Sequence, residues 1–323
     1  MTSDQSSQAS DRHTSVDDGY VVAVDIGNSA VKISWRSVYG DGLSDHSGTG
    51  DSGVLECDSV GDTLRKTVIA YTRDQWARES TDILQELFGS HPVQWRVASV
   101  NATRIKQLRQ AIARHRPDDS VWVISHRDVP MPSLVDEPDR LGIDRLVGAW
   151  AASRRHSGPL AVVDAGSAVT VDWINAGGAF AGGAILPGLA LQTSSLGSGT
   201  DALPEVDWDI RERFLVPATN TADAIRLGIL GGVAGAIDRL VDWYRDQAVA
   251  TMNGSGTGAA STAETPDSAV TSDVLPKKSD IAIVITGGDA HAICPHLRNR
   301  YDHAANLVCE GVMELPDSPL AKS

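Results

Sequence analysis

The chain has 323 residues, 41% of them hydrophobic, and a formal net charge of −14 at pH 7. That length can bury two domains or one duplicated fold, and the acidic balance excludes a general nucleic-acid binder, which needs a basic face to neutralise phosphates. The three cysteines, Cys57, Cys294 and Cys309, form no C-x-x-C pair and no even framework, so they read as buried thiols in a reducing compartment.

Residues 1–18 are polar and acidic with no apolar core, which predicts a disordered tail rather than a signal peptide. No stretch approaches the ~18–20 apolar residues of a transmembrane helix; the expected location is the cytoplasm, with no membrane partner. Strands are expected at Tyr20–Asp25, Val31–Val38 and Val54–Cys57. A helix over Arg73–Phe88 closes at Gly89, which suits a left-handed cap. Then come strand Gln94–Val100, helix Thr103–Arg116 with Ile105, Leu108 and Ile112 on one face, and strand Val121–Ser125. A helix starting near Asp139–Leu141 runs to about Arg155, and strand Leu160–Gly166 follows.

Ser194–Thr200 reads as a Gly/Ser/Thr loop and Thr221–Asp246 as a long helix. Gly228, Gly231, Gly232 and Gly235 would weaken that helix in isolation, so they are expected to permit close backbone packing. Residues 247–279, rich in Gly, Ser, Thr and Ala, read as a flexible insertion. Strand Ile281–Thr286, a helix to about Tyr301 and a last strand over Asn306–Val312 complete the pattern.

Two turns stand out. Asp25-Ile26-Gly27-Asn28-Ser29 ends an apolar strand and leads into the alternating Ala30-Val31-Lys32 segment. It is either a plain β-turn of favoured turn residues or a phosphate cradle of backbone N–H groups with Asp25 near a metal. Asp164-Ala165-Gly166-Ser167-Ala168 repeats the device in the second half, again before an alternating strand. Two such turns in one strand context indicate an internal duplication. Thr286-Gly287-Gly288 at a strand end suits nucleotide contact. Gly142-Ile143-Asp144-Arg145 places a carboxylate and a guanidinium at a helix start. The helix dipole keeps Asp144 ionised; Arg145 either clamps a substrate carboxylate or makes an ordinary ion pair.

These motifs, with Gly182-Gly183-x-Ile185-x-Pro187-Gly188, occur in an order and spacing that resembles the type III pantothenate kinases over about Gly19–Leu315. The resemblance implies an α/β fold of the actin/sugar-kinase/Hsp70-like superfamily, with duplicated ribonuclease-H-like (actin/hexokinase-type) domains of mixed sheets flanked by helices. The implied division is 19–140 and 141–315, with tails at 1–18 and 316–323. It implies ATP-dependent phosphorylation of pantothenate, the first step of coenzyme A synthesis, with Mg²⁺, a monovalent cation (K⁺ or NH₄⁺) and a homodimer. Asp25–Lys32 (Asp25, Ile26, Gly27, Asn28, Ser29, Ala30, Val31, Lys32) would hold ATP phosphates, with Asp25 near Mg²⁺. Gly142, Ile143, Asp144 and Arg145 would bind pantothenate, Asp144 acting as base and Arg145 as a substrate contact. Asp164 would hold the monovalent cation, Ser167 would touch ATP, and Thr221 would touch substrate. Ser29 and Ser167 stand where the family usually has Thr, and "SSLGSGTDALP" is more glycine-rich than the family's segment. Alternatives are a non-catalytic relative acting as a transcription accessory factor, or a same-fold kinase of another small hydroxy substrate.

Overall fold

The computed structural model describes residues 20–36, 64–71, 75–208, 215–254 and 281–316. Ten strands form two five-stranded sheets. The first takes β1 (Tyr20–Ile26), β2 (Ala30–Arg36), β3 (Leu64–Ala70), β4 (Val93–Ser99) and β5 (Ser120–Val123) in the order β3-β2-β1-β4-β5. The second takes β6 (Leu160–Ala165), β7 (Ala168–Ile174), β8 (Phe180–Pro187), β9 (Ala282–Thr286) and β10 (Asp302–His303) in the order β8-β7-β6-β9-β10. In each sheet the first three strands form an antiparallel meander, and the last two run parallel to its first strand. One topology occurs twice, as the duplicated ribonuclease-H-like fold requires.

The central strands β1 and β6 are apolar along almost their whole length because helices cover both faces of their sheets. Helices α1 (Trp76–Phe88) and α2 (Ala102–His115) pack together outside the first sheet. Helices α4 (Leu189–Gly199) and α5 (Thr221–Gly254) pack beside the second. Between the sheets lie α3 (Ile143–Arg155) and α7 (Leu307–Glu314), whose Leu146, Val147, Leu307 and Val312 join Ala23 and Ala98 of one sheet to Val162 and Ile174 of the other. Gly311 permits this approach: a Cβ there would stand 2.7 Å from Val147 Cγ1 and 2.9 Å from Val147 O. The short α6 (Ala290–Ile293) completes the helices. No helix among the described residues is long and apolar enough to cross a membrane.

Several expectations change. Leu307–Glu314 is a helix, not a strand; its short apolar run fits either, and burial between two sheets selects the form that satisfies its own backbone. Ser194–Thr200 lies largely in α4 rather than a loop. Its hydroxyls bond back to carbonyls one turn earlier, Ser195 to Leu191 at 2.7 Å and Ser198 to Ser194 at 2.9 Å, while Leu189 and Leu196 face α5. The helix expected to reach Tyr301 stops at Ile293 and turns 3₁₀ at Cys294–His296, where Pro295 lacks an N–H. Helix α5 continues to Gly254, past the expected boundary at 247; the rest of that insertion, residues 1–18 and the expected strand Val54–Cys57 lie outside the described residues. A strand absent from the sequence reading, β3, pairs with β2. The four α5 glycines do not pack inside the chain: all are exposed, and a Cβ on any of them would meet nothing within 4 Å. Gly89 does adopt a positive φ of 57°.

Candidate active site

The two turns end the central strands of the two sheets, and they meet: Ser29 Oγ and Ser167 Oγ are hydrogen-bonded at 2.6 Å. Within the first turn, Gly27 N–H donates to Ala30 O at 3.1 Å, leaving Asn28 and Ser29 exposed at the tip. Ile26 and Val31 are buried in the core below it. Within the second, Gly166 N–H donates to Ala168 O at 3.0 Å.

Asp25 is buried and lies opposite Lys32 in the β1–β2 register. The Lys32 ammonium stands 3.2 Å from Asp25 Oδ2, and that carboxylate holds the lysine's proton well above the ordinary range. Asp164 occupies the matching place in β6, but its partner across the register is Thr170. Burial pushes its carboxyl up to about 6; Lys32 opposes this, and Asp25 and Asp144 add to it. Asp144, in the first turn of α3, is also raised, first by burial and then by Asp25. Its Oδ1 accepts the Arg145 backbone N–H at 2.9 Å. Three aspartates from three elements thus lie in one field, in which Lys32 opposes the rise at Asp164 and Arg145 opposes it at Asp144.

Arg145 is engaged within the protein. Its Nε donates to Asp172 Oδ1 at 3.0 Å, its Nη2 bonds the same carboxylate, and its guanidinium lies 5.6 Å from the centre of the Phe180 ring. Asp172, fully buried in β7, is pushed up to about 6 by burial against the pull of Arg145. The sequence reading passed over it. The signal was available: an aspartate between Val171 and Trp173 in a strand buried on both faces needs a partner.

The remaining motifs brace the second turn. Gly287, at φ 99°, lets β9 end against β6, where a side chain would collide with Ala165 O. Asp289 N–H donates to Ala165 O at 2.9 Å, and Gly188 N–H, just past β8, donates to Ser167 O at 3.1 Å. Thr221 is set apart: it is exposed at the first turn of α5, and no hydrogen bond or ion pair among the described residues joins it to the carboxylates. Gly142 is the residue before α3 and Ile143 its buried first residue. Among the described residues, no three His, Cys, Asp or Glu side chains converge as a metal-ligand group.

Arranged this way, the site offers backbone turns for phosphates, a carboxylate able to take a proton, and a fixed guanidinium fork. Residues 21–243 match the family model described as type III pantothenate kinase. A type III pantothenate kinase of Rhodopirellula baltica is 38% identical over 257 residues, covering 73% of this chain and 88% of the relative. One from Rhodococcus opacus is 30% identical over 271 residues, covering 82% and 86%. Among solved structures, MreB5 of Spiroplasma citri bound to ADP aligns with 92% of this chain and 96% of its own, at 11% identity and a TM-score of 0.40. The extent of the family match and the identity to the Rhodopirellula protein lead to one assignment: the chain belongs to the type III pantothenate kinase family.

Proposed function

We propose that the protein transfers the γ-phosphoryl group of ATP to the primary hydroxyl of pantothenate, opening coenzyme A synthesis. The observation that carries this is the meeting of Asp144 and Arg145, at the start of α3, with the two serine-linked turns and the Asp25 and Asp164 carboxylates. Membership of a kinase family brings ATP and a divalent metal with it. The residues present fit both. Divalent magnesium is usually held by one or two carboxylates together with the substrate phosphates, so Asp25 alone suffices from the first turn. The tip of the first turn exposes Asn28 and Ser29, whose N–H groups could receive phosphate oxygens. Bound nucleotide and metal supply the phosphoryl group and neutralise the charge on its oxygens.

The chain's own residues do the rest. Phosphoryl transfer has a loose transition state, so its catalysis is largely positioning and charge neutralisation. Asp144 orients the acceptor hydroxyl and takes its proton at a carboxylate oxygen; its raised proton affinity makes that transfer easier. Arg145 uses Nε and Nη2 on Asp172, which leaves the remaining edge of the fork for the pantothenate carboxylate. Gly142 and Ile143 shape the approach to α3, and Thr221 contacts substrate from α5. Asp164 is the candidate ligand for K⁺ or NH₄⁺, because it is buried opposite Thr170 and Thr286 and, unlike Asp25 and Asp172, has no ion pair among the described residues. Ser167 reaches the nucleotide from the second turn. The exposed glycine face of α5 supports a homodimer, since a second backbone could approach it closely. The net charge of −14 supports the absence of a nucleic-acid partner, and the activity suits the cytoplasm.

The test is ADP release from ATP across a panel of pantothenate, sugars and other small hydroxy acids, with magnesium and with potassium or ammonium. Release that depends on pantothenate is the expected result. Release driven by another hydroxy compound points to a different kinase of this fold, and none with any acceptor points to a non-catalytic role.

A further inference from the structure

The first turn is held from outside by a residue that no motif singled out. Arg104, in the first turn of α2, reaches across to the turn after β1, where one nitrogen, Nη1, donates to Gly27 O at 2.6 Å and to Asn28 O at 2.7 Å. Its guanidinium lies 3.5 Å from the centre of the Tyr71 ring, a stacked cation–π contact. The flanking carbonyls are also taken. Ser99 Oγ donates to Ile26 O at 3.2 Å, and Tyr71 N–H donates to Ser29 O at 3.1 Å. Four consecutive carbonyls, from Ile26 to Ser29, therefore find donors: Ser99 at the end of β4, Arg104 in α2 and Tyr71 just past β3.

A trans peptide is planar, with its C=O and N–H pointing in opposite directions. Fixing the Gly27 and Asn28 carbonyls on Arg104 consequently turns the N–H groups of Asn28 and Ser29 the other way. Successive N–H groups aimed together make an anion-binding concavity. We propose that Arg104 is a positioning residue for the nucleotide: stacked on Tyr71, it orients the first turn so that the Asn28 and Ser29 amides receive phosphate oxygens. Arg104 is itself held in place, for its backbone N–H is capped by Asn101 Oδ1 at 3.1 Å, and Asn101 N–H bonds Ser99 Oγ at 3.0 Å. The junction from β4 to α2 is thus one hydrogen-bonded bracket on the turn. A guanidinium suits the role better than an ammonium, because one terminal nitrogen bonds both carbonyls while the planar face stacks on the ring. The inference rests on the reading that Asp25–Lys32 holds ATP phosphates.

The test compares wild type with Arg104→Ala, Arg104→Lys and Tyr71→Leu. Mg–ADP affinity is measured by calorimetry, KM is measured for both substrates, and amide hydrogen exchange is followed over residues 26–30 without nucleotide. Loss of both hydrogen bonds to the turn, largely replaced by water, predicts a ten- to hundredfold loss of Mg–ADP affinity in Arg104→Ala, about 1.4–2.7 kcal/mol. Exchange across residues 26–30 should rise several-fold, while KM for pantothenate stays within about twofold. Arg104→Lys should recover part of the affinity, and Tyr71→Leu should lose less than Arg104→Ala. Unchanged affinity in Arg104→Ala overturns the proposal. So does lost affinity with unchanged exchange, which would make Arg104 a direct phosphate contact. A matched loss of nucleotide affinity, pantothenate KM and melting temperature would make it a scaffold residue only. If Arg104→Ala does not fold, the lysine and Tyr71 variants carry the same comparison. Wild type that binds no Mg–ADP would instead defeat the reading of the turn itself.

Discussion

The two strand-ending turns have the same place in the same topology, yet they are stabilised in different ways. The first is braced by side chains: Arg104 and Ser99 take its carbonyls, and Lys32 neutralises Asp25. The second is braced by backbone: the N–H groups of Asp289 and Gly188 bond Ala165 and Ser167, and the register partner of Asp164 is a threonine. In electrostatic terms Asp25 has an ion-paired lysine, whereas among the described residues Asp164 has no ion pair and feels Lys32 only through the field. Two equivalent positions thus differ: one carboxylate is ion-paired, and the other, among the described residues, is not. Asp144 stands between them and feels both: Asp25 raises its proton affinity, and its own charge raises that of Asp164.

The largest effect should come from removing what neither turn provides. Asp144→Asn keeps the shape of the side chain but cannot take a proton. Turnover should fall by the 10²–10⁴-fold usual for a positioned acid or base, roughly. Mg–ADP affinity should hold, because the phosphate turns stay intact. Replacing one carboxylate in a cluster of three should leave the melting temperature level or slightly higher. Pantothenate-dependent ADP release, calorimetry and melting curves check the three parts. Wild-type turnover in a normally folded variant would leave the two turns as the whole of the chemistry.

The sequence disclosed the turns more readily than their bracing. Asp25-x-Gly27 and Asp164-x-Gly166 are local patterns, and their recurrence pointed to two equivalent halves; the sheets bear this out in strand order. The helix start at Gly142–Arg145 was equally local. Arg104 and Asp172 were not legible in the same way, because each acts on residues far away in the chain: Arg104 on a turn 76 residues earlier, Asp172 on a guanidinium 27 residues earlier. The strand expected at Asn306–Val312 failed for a related reason. A short apolar run says that it is buried but not by what, and two covering sheets made it a helix.

The ion pair that Asp164 lacks among the described residues can be supplied by substitution. Thr170→Lys would copy the Asp25–Lys32 arrangement at Asp164, placing an ammonium where the proposed monovalent cation binds. Wild type should lose tenfold or more of its turnover when tetramethylammonium replaces potassium, which corresponds to about 1.4 kcal/mol or more. Thr170→Lys should flatten that dependence, with a lower maximum because the Thr170 hydroxyl no longer donates to Asp172 Oδ2, 3.3 Å away. Rates are compared in potassium, ammonium, sodium and tetramethylammonium chlorides. A wild type indifferent to all four removes Asp164 from the cation assignment, and a variant that keeps the full potassium dependence shows that the cation binds elsewhere.

The smallest effect is also the one that isolates Asp164 without turnover. Its carboxyl is raised from the ordinary 3.8 to about 6 in the folded protein, chiefly by burial. Between these two values the folded state holds more protons than the unfolded state, so this group's contribution to stability falls as pH rises through that window. Above about 6 the loss is complete and constant. A bound monovalent cation favours the ionised form and restores part of that stability; at low pH the proton competes with it. The melting temperature of nucleotide-free protein should therefore rise in potassium relative to tetramethylammonium by about 2 °C at pH 7.5, and the gain should vanish near pH 4.5. Asp164→Asn should show no gain at either pH, whereas Asp25→Asn should keep part of it. An equal gain at both pH values, or one that survives in Asp164→Asn, would mean that the cation acts elsewhere and that the two turns differ in bracing but not in charge.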